Sequence, residues 1–169
     1  TGLGEEAGAP IASHPDIDKV AFTGSTEVGK LITKASAGNL KKITLELGGK
    51  SPAIVFPDAD IDAAIQGVAS GIFFNHGQTC CAGSRLFAHE KVYDKVTEGV
   101  AEIAKSIKVG PGMNDKDGSQ MGPLVSSEQY EKVVGYMESG KQDGAECLVG
   151  GTHDNSSGGH FVHPTVFSK

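Results

Sequence analysis

The spacing of apolar residues in the first 50 positions predicts a strand, a turn, a helix and a second strand. Residues 20–22 form a short apolar run that meets Thr23-Gly24. The segment 25–38 has apolar residues at helical spacing (Val28, Leu31, Ile32 and Ala35), which predicts a helix. Residues 42–47 alternate between apolar and polar side chains before Gly48-Gly49, and this alternation predicts a strand that enters a sharp turn.

The remaining positions continue the same alternation of elements. A strand is predicted at 53–56, and Asp58 or Asp60 can cap a helix that should stop near 75–77. Further strands are predicted at 86–88, 147–149 and 161–167, further helices at 92–107 and 128–137, and loops at 112–126 and 156–159. Alternating strands and helices predict the α/β fold class, with parallel sheets in layers.

Composition and charge exclude several classes of function. The 169 residues include 15 Lys and Arg against 21 Asp and Glu, and no basic cluster is longer than Lys41-Lys42, which argues against a nucleic-acid surface. No apolar run is long enough for a membrane span, and the N-terminal TGLGEEAGAP is acidic, unlike a signal peptide. We therefore expect a cytoplasmic protein with no nucleic-acid or membrane partner. Glycine is frequent, at 24 residues, which predicts tight turns or close approach of the backbone to a ligand.

Two glycine patterns resemble phosphate-binding loops, and each has a mismatch. TGLGEEA has dinucleotide-binding spacing, but no strand precedes it and Glu5 and Glu6 stand where a pyrophosphate would lie. GSTEVGKL at 24–31 nearly matches a P-loop, but Leu31 replaces the hydroxyl that holds magnesium. A P-loop-like nucleotide-binding protein is the alternative hypothesis. A helix N-terminus that can accept an anion, or a plain strand-to-helix turn, also fits the second pattern.

The cysteines suggest either a reactive thiol or simple burial. Cys80, Cys81 and Cys147 are an odd number, and two are adjacent, so a disulfide framework is a poor explanation. They also lack the spacing of metal ligands, and we expect no metal site. His76 stands four residues before Cys80, and only this spacing favours a Cys-His dyad. The other histidines form no cluster in the sequence, and we interpret them as surface residues or as residues whose ring nitrogens have hydrogen-bond partners.

Glu46 has two interpretations that the strand pattern leaves open. The alternation places its side chain on the polar face of a half-exposed strand. A carboxylate at the end of a strand can instead serve as a general base.

Three segments together closely resemble the aldehyde dehydrogenase superfamily. They are FTGSTEVG at 22–29, LELGGKSP at 45–52 and FFNHGQTCCAGSR at 73–85. Glu46 and Cys80 lie 34 positions apart, which fits the separation of the family's catalytic glutamate and cysteine. The resemblance runs from Thr1 to Lys169, and it implies an atypical Rossmann-like fold.

The resemblance also implies a role for each matching residue. Cys80 matches the nucleophile and Glu46 the base that deprotonates water, while Thr79 and Cys81 border the substrate. Phe74 matches an aromatic position of the substrate funnel, although packing at a helix end explains it equally well. The cofactor, NAD or NADP, would meet five residues: Gly24 and Ser25 at the pyrophosphate, Gly4 and Gly8 on the adenosine side, and the backbone of Leu47 near the nicotinamide. The substrate would be a small-molecule aldehyde, and the full-length form a homo-oligomer.

The family's chains are longer, so the resemblance implies a fragment. Residues 1–47 would be the end of the cofactor domain and residues 48–169 the first part of the catalytic domain. The start at Thr1 without an initiator Met and the end directly after a strand-like run agree with this expectation. The alternative is that the 169-residue piece exists alone as a truncated, non-catalytic α/β module.

Overall fold

A computed structural model describes residues 1–113, 118–156 and 158–168. These residues form two compact units, Thr1–Lys50 and Ser51–Lys169. The predicted loops at 112–126 and 156–159 include residues 114–117 and 157, which lie outside the described residues. The predicted division of the chain at 47/48 into cofactor and catalytic parts stays a prediction, because compactness does not show what each part binds.

The first unit contains two parallel strands and the helix that connects them. Its elements are a π-helical turn at Gly4–Gly8, α1 (Ala9–Ser13), β1 (Lys19–Thr23), α2 (Thr26–Ser36) and β2 (Lys42–Glu46). The register of β1 against β2 runs from Lys19↔Lys42 to Thr23↔Glu46. The predicted strand, turn, helix and strand are confirmed, and both strands alternate between exposed and half-buried positions. The two helical segments before β1 have no apolar periodicity and were missing from the sequence prediction.

A buried lysine joins the start of β2 to the end of α1. Lys41 is only 6% exposed, and its ammonium group donates hydrogen bonds to the carbonyls of Ala12, at 2.7 Å, and His14, at 2.8 Å. These carbonyls belong to the last turn and C-terminal cap of α1, where no N–H group within the helix is available to them. The lysine therefore satisfies the carbonyl of the buried Ala12 and the part-buried carbonyl of His14.

We expect Lys41→Met to lower the free energy of unfolding by about 2 kcal/mol, because two carbonyls lose a charged donor while the aliphatic packing stays. The measurement is urea denaturation followed by circular dichroism. Lys42→Met is the matched control, since the neighbouring Lys42 is exposed and should change stability by less than about 0.5 kcal/mol. Equal losses for the two variants would contradict this role of Lys41.

Over its described residues, the second unit has a parallel strand pair, three helices and two antiparallel pairs. Its elements are β3 (Pro52–Val55), α3 (Ile61–Phe73), a 3₁₀ turn (Phe74–Gly77), β4 (Arg85–Ala88), α4 (Tyr93–Ser106), α5 (Ser127–Gln142), β5 (Glu146–Val149), β6 (His153–Asp154), β7 (Phe161–Val162) and β8 (Val166–Ser168). Strand β3 pairs in parallel with β4, whereas β5 pairs antiparallel with β8 and β6 with β7.

The core of this unit lies where α3 and α4 pack together beside β3. Val55, Ile65, Val96 and Val100 form its buried cluster, and Val96 is fully buried. A Cβ at Gly99 would lie 2.5 Å from Cδ1 of Ile65, so glycine lets the two helices approach closely. Asp60, one of the two predicted caps, begins α3 by accepting from the backbone N–H of Ala63 at 3.1 Å.

The predicted α/β class is confirmed by the two parallel strand pairs. Two details of the prediction were wrong. The single strand expected at 161–167 is divided into β7 and β8, and α5 continues past Met137 to Gln142. Among the described residues, no helix is long and apolar enough to cross a membrane.

Candidate active site

The turn between β1 and α2 presents a helix N-terminus that is held by its own residues. Ser25 caps α2, and its hydroxyl accepts from the backbone N–H of Val28 at 3.2 Å. Gly24 and Ser25 are exposed, and a Cβ at Gly24 would clash with Cζ of Phe22, so a side chain there would displace the ring. The first N–H groups of a helix lack partners within it and lie at its positive end. This end of α2 is able to hold an anionic group, although Glu27 adds a negative charge to the first turn.

Glu46 lies beside this turn, as the last residue of β2. It pairs with Thr23 in the strand register, and its carbonyl accepts from the backbone N–H of Gly24 at 3.0 Å. Its side chain is exposed. The backbone of Glu46 is thus fixed, while its side chain lies outside the core and is exposed.

Leu47 continues from Glu46 and packs against α2. A Cβ at the buried Gly29 would lie 2.8 Å from Cδ2 of Leu47, so the small residue makes room for this side chain. The first unit therefore brings together Gly24, Ser25, Glu46 and Leu47. The P-loop alternative lacks support here, because Leu31 is 58% exposed and its side chain offers no ligand atom for magnesium.

Gly4 and Gly8 bound the π-helical turn at the start of the chain. Both are exposed, and a Cβ built at either position would meet no atom within 4 Å. The space next to each glycine is open, as close approach by a ligand requires. Their predicted position on the adenosine side of a cofactor stays a prediction.

In the second unit, Cys80 and Cys81 occupy the centre of a tight turn between α3 and β4. The N–H of Ala82 donates to the carbonyl of Thr79 at 3.0 Å and closes the turn. The N–H of Gly83 donates to the carbonyl of Gly71, in α3, at 3.1 Å. Both thiols are exposed. The turn is therefore attached to the helix while it presents its cysteines to the outside.

The second unit also contains the other two predicted substrate-lining residues. Phe74 is 75% exposed, which is unusual for a large apolar ring, and Thr79 is half-buried at the start of the cysteine turn. The exposure of Phe74 argues against the interpretation that it is core packing at a helix end. Its role at a substrate stays a prediction.

The contacts of the Gln78 side chain were not apparent from the sequence. It accepts from the backbone N–H of Val125 through Oε1 at 3.2 Å, and its Nε2 lies 3.2 Å from Nδ1 of His76. The described contacts include no hydrogen bond between His76 and Cys80, and the suggested Cys-His dyad gains no support. The signal that could have identified Gln78 was its position within the motif segment, two residues before Cys80.

His153 and His160 both contact Tyr130, which lies far from them in the sequence. The hydroxyl of Tyr130 and Nδ1 of His153 form a hydrogen bond, and the rings of Tyr130 and His160 lie 5.4 Å apart between centroids. Nδ1 of His160 is buried without a hydrogen-bond partner in the described part of the chain. The hydroxyl of Ser156 and, with a smaller effect, its backbone N–H donate hydrogen bonds to the carboxylate of Asp154. These hydrogen bonds hold the pKa of that carboxyl below its usual value. The histidine pair was not apparent from sequence spacing.

Over the residues that the structure describes, no group of three or more ligand-type side chains could hold a metal ion.

The model of the aldehyde dehydrogenase family matches residues 1–169, the whole chain. The chain belongs to this family. It is similar to a phenylacetaldehyde dehydrogenase of Pseudomonas fluorescens, with 49% identity over 169 residues that cover 100% of this chain and 33% of the relative. It is also similar to the mitochondrial aldehyde dehydrogenase of Homo sapiens, with 50% identity over 167 residues, 98% of this chain and 32% of the relative.

The fold agrees with solved aldehyde dehydrogenases. The structure of the Bacillus cereus aldehyde dehydrogenase in complex with NAD⁺ matches with a TM-score of 0.92 and 52% sequence identity, over 98% of this chain and 33% of that chain. The predicted Rossmann-like fold is thereby confirmed. The chain spans about a third of the length of the curated relatives it matches.

Proposed function

We propose that a protein of the relatives' length containing this chain, here called the complete protein, oxidises an aldehyde to a carboxylic acid, with Cys80 as nucleophile and Glu46 as general base. The observation that carries the proposal is the family match across all three motif segments, together with the exposed Cys80 at the centre of an anchored turn. A rigid backbone beneath an accessible side chain is what a positioned nucleophile needs.

The first step is attack of the Cys80 thiolate on the aldehyde carbon. A carbon–sulfur bond forms, the carbonyl π pair moves to oxygen, and a thiohemiacetal oxyanion results. The backbone N–H of Cys80 is proposed to donate a hydrogen bond to this oxygen. Thr79, Cys81 and Phe74 are proposed to border the aldehyde and hold its side chain beside the thiol.

The second step removes a hydride from the thiohemiacetal carbon, and the third hydrolyses the thioester that remains. As the hydride leaves, the electron pair of the oxyanion re-forms the carbonyl, and NAD⁺ or NADP⁺, when bound, would supply the hydride acceptor. Glu46 then takes a proton from water, the hydroxide adds to the thioester carbon, and the Cys80 thiolate leaves as the carboxylic acid is released. Thiolate is a better leaving group than alkoxide, which suits cysteine to this sequence of steps.

The residues of the first unit fit a dinucleotide. The exposed N-terminus of α2 at Gly24 and Ser25 is suited to a pyrophosphate, and the open space at Gly4 and Gly8 is suited to the adenosine side. The backbone of Leu47 is proposed to contact the nicotinamide end. The Bacillus cereus relative was solved with NAD⁺, which supports this cofactor class without deciding between NAD and NADP.

The partner of the complete protein is proposed to be a small-molecule aldehyde, and its assembled form a homo-oligomer. Nucleic acid and membrane are not among the expected partners, since the chain has a formal net charge of −6. Localisation in the cytoplasm stays a prediction, because a relative from Homo sapiens is named as mitochondrial.

We expect the complete protein to form NADH or NADPH only when an aldehyde is supplied, as measured by absorbance at the reduced nicotinamide band. Phenylacetaldehyde and a short aliphatic aldehyde are suitable first substrates. The intact mass of the protein isolated from its source tests the alternative hypothesis. A species of 17.4 kDa without aldehyde-dependent activity would favour the non-catalytic module.

A further inference from the structure

The segment that leads into the cysteine turn has an unfavourable backbone conformation. Three consecutive residues lie in the left-handed region, with φ of 50° at Asn75, 61° at His76 and 69° at Gly77. Glycine adopts this region freely and asparagine more readily than most residues, whereas other residues cost about 1–2 kcal/mol there. Such a conformation persists only where surrounding contacts hold it, and it lies three to five residues before Cys80.

Gln78 makes four of the described contacts in and around this segment. Its backbone N–H donates to the carbonyl of Asn75 at 2.9 Å, and its own carbonyl accepts from the Asn75 side chain at 3.1 Å. Its side chain contacts the backbone N–H of Val125, which lies outside the segment, and the ring of His76, which lies within it. Residues 78 and 125 are 47 positions apart in sequence, so this side chain fastens the cysteine segment to a distant loop.

The loop on the other side is itself fixed. Ser126, directly after Val125, caps α5 by accepting from the N–H of Gln129 at 3.2 Å. The N–H of Leu124 donates to the carbonyl of His160 at 2.8 Å. Glu128 lies in the first turn of α5. A hydrogen bond from its own backbone N–H, and a weaker one from the Ser126 side chain, hold the pKa of its carboxyl below the usual value. The N–H of Val125 is therefore presented from an ordered position.

The chemistry of the donors fixes the orientation of the whole network. A backbone N–H can only donate, so the atom of Gln78 that faces Val125 is the carbonyl oxygen. The amide nitrogen then faces His76 and can only donate, so Nδ1 of the neutral His76 ring accepts and the ring proton is on Nε2. Nε2 lies 3.4 Å from the position of a Cβ built at Gly122, in the same loop as Val125.

We propose that Gln78 is a positioning residue for the Cys80 thiol, acting through the hydrogen bond from Val125. The proposal rests on the function proposed above and adds a residue to it. Loss of this bond releases the left-handed segment from the loop before α5, and the cysteine turn then samples positions in which the thiol does not meet the aldehyde carbon. Displacement of a reacting group by about 1 Å is enough to lower a rate on the order of a hundredfold.

The test uses the complete protein with Gln78→Met and Gln78→Glu. Methionine keeps the length of the side chain and removes both polar contacts. Glutamate keeps an oxygen for Val125, and its second oxygen can accept from His76 once the ring proton moves to Nδ1. We expect Gln78→Met to lower kcat about tenfold or more with KM changed less than about threefold, and Gln78→Glu to restore most of kcat.

Thiol alkylation gives a second readout that does not depend on turnover. Iodoacetamide is added without cofactor, and peptide mass spectrometry gives the rates at Cys80 and Cys81. We expect Gln78→Met to change the ratio of these two rates about fivefold, since the turn that sets their relative exposure is released. If Gln78→Met does not fold, Gln78→Asn tests the loss of the same hydrogen bond, because its shorter side chain does not reach the N–H of Val125.

Gln120→Met is the matched control. The Oε1 atom of Gln120 accepts from the backbone N–H of Lys108 at 3.1 Å, so the exchange removes the same type of hydrogen bond without touching the cysteine segment. It should leave both kcat and the alkylation ratio at the parent values.

Two results would overturn the proposal: a Gln78→Met variant with parental kcat and alkylation ratio, or a Gln78→Glu variant as impaired as Gln78→Met. Absence of aldehyde oxidation in the parent would instead refute the proposed function, and the alkylation ratio would still decide the role of Gln78.

Discussion

Replacement of Cys80 by alanine in the complete protein is expected to lower kcat for aldehyde oxidation by about 10⁴-fold or more. The proposed reaction runs through a covalent bond from sulfur to the aldehyde carbon, and alanine offers no atom that can form it. Stability should change little, because the thiol is exposed and surface substitutions seldom exceed about 0.5 kcal/mol. The measurement is reduced-nicotinamide formation under saturating aldehyde and cofactor.

Cys81→Ala is the matched comparison for this prediction. Cys81 occupies the same turn and is equally classed as exposed, so the variant removes a second thiol with the same local backbone. We expect it to retain kcat within about tenfold, as a residue that borders the substrate without reacting would. An inactive Cys81→Ala variant together with an active Cys80→Ala variant would identify Cys81 as the nucleophile.

The elements with strong local patterns were predictable from sequence. The alternation in residues 42–47 and the helical stripe of α3 identified their elements to within a residue or two at most ends, because burial of one face imposes the period of the element. The motif segments also predict Glu46 and Cys80 as catalytic residues by resemblance to the family, and these assignments stay predictions.

Features that depend on distant partners were not predictable from sequence. Strand β5 pairs with β8, about 20 residues later, and Lys41 binds carbonyls 27 and 29 positions before it. The local sequence pattern contains no signal for the β5–β8 pairing or for the Lys41 hydrogen bonds. The helical segments between Gly4 and Ser13 were missed because their short, glycine- and alanine-rich sequence has no apolar stripe to detect.

Gln78 illustrates why the candidate site was only partly visible. Its neighbours in sequence resemble the family's catalytic segment, but the contact on which its proposed role depends is with Val125, 47 positions away. The left-handed residues Asn75 and His76 were also not apparent, because sequence gives a preference for such conformations and not their presence. Motif matching finds reacting groups more readily than the residues that hold them.

Glu46→Gln is expected to slow steady-state oxidation by about 10²–10³-fold while leaving the first turnover nearly intact. The amide keeps the shape of the side chain, and the backbone bond from Gly24 to the carbonyl of Glu46 is unaffected, so the fold of the first unit should persist. What is lost is the carboxylate that takes a proton from water. Acylation and hydride removal precede that step, so the thioester should accumulate.

Rapid mixing of the Glu46→Gln variant with aldehyde and cofactor measures this directly. We expect a burst of reduced nicotinamide close to one per Cys80 thiol, followed by a slow linear phase limited by thioester hydrolysis. Glu146→Gln is the control, because Glu146 is also an exposed glutamate in a strand and has no proposed role. A variant that kept the parental steady-state rate would remove Glu46 from the mechanism. A variant that lost the burst as well would assign it to a step before the thioester.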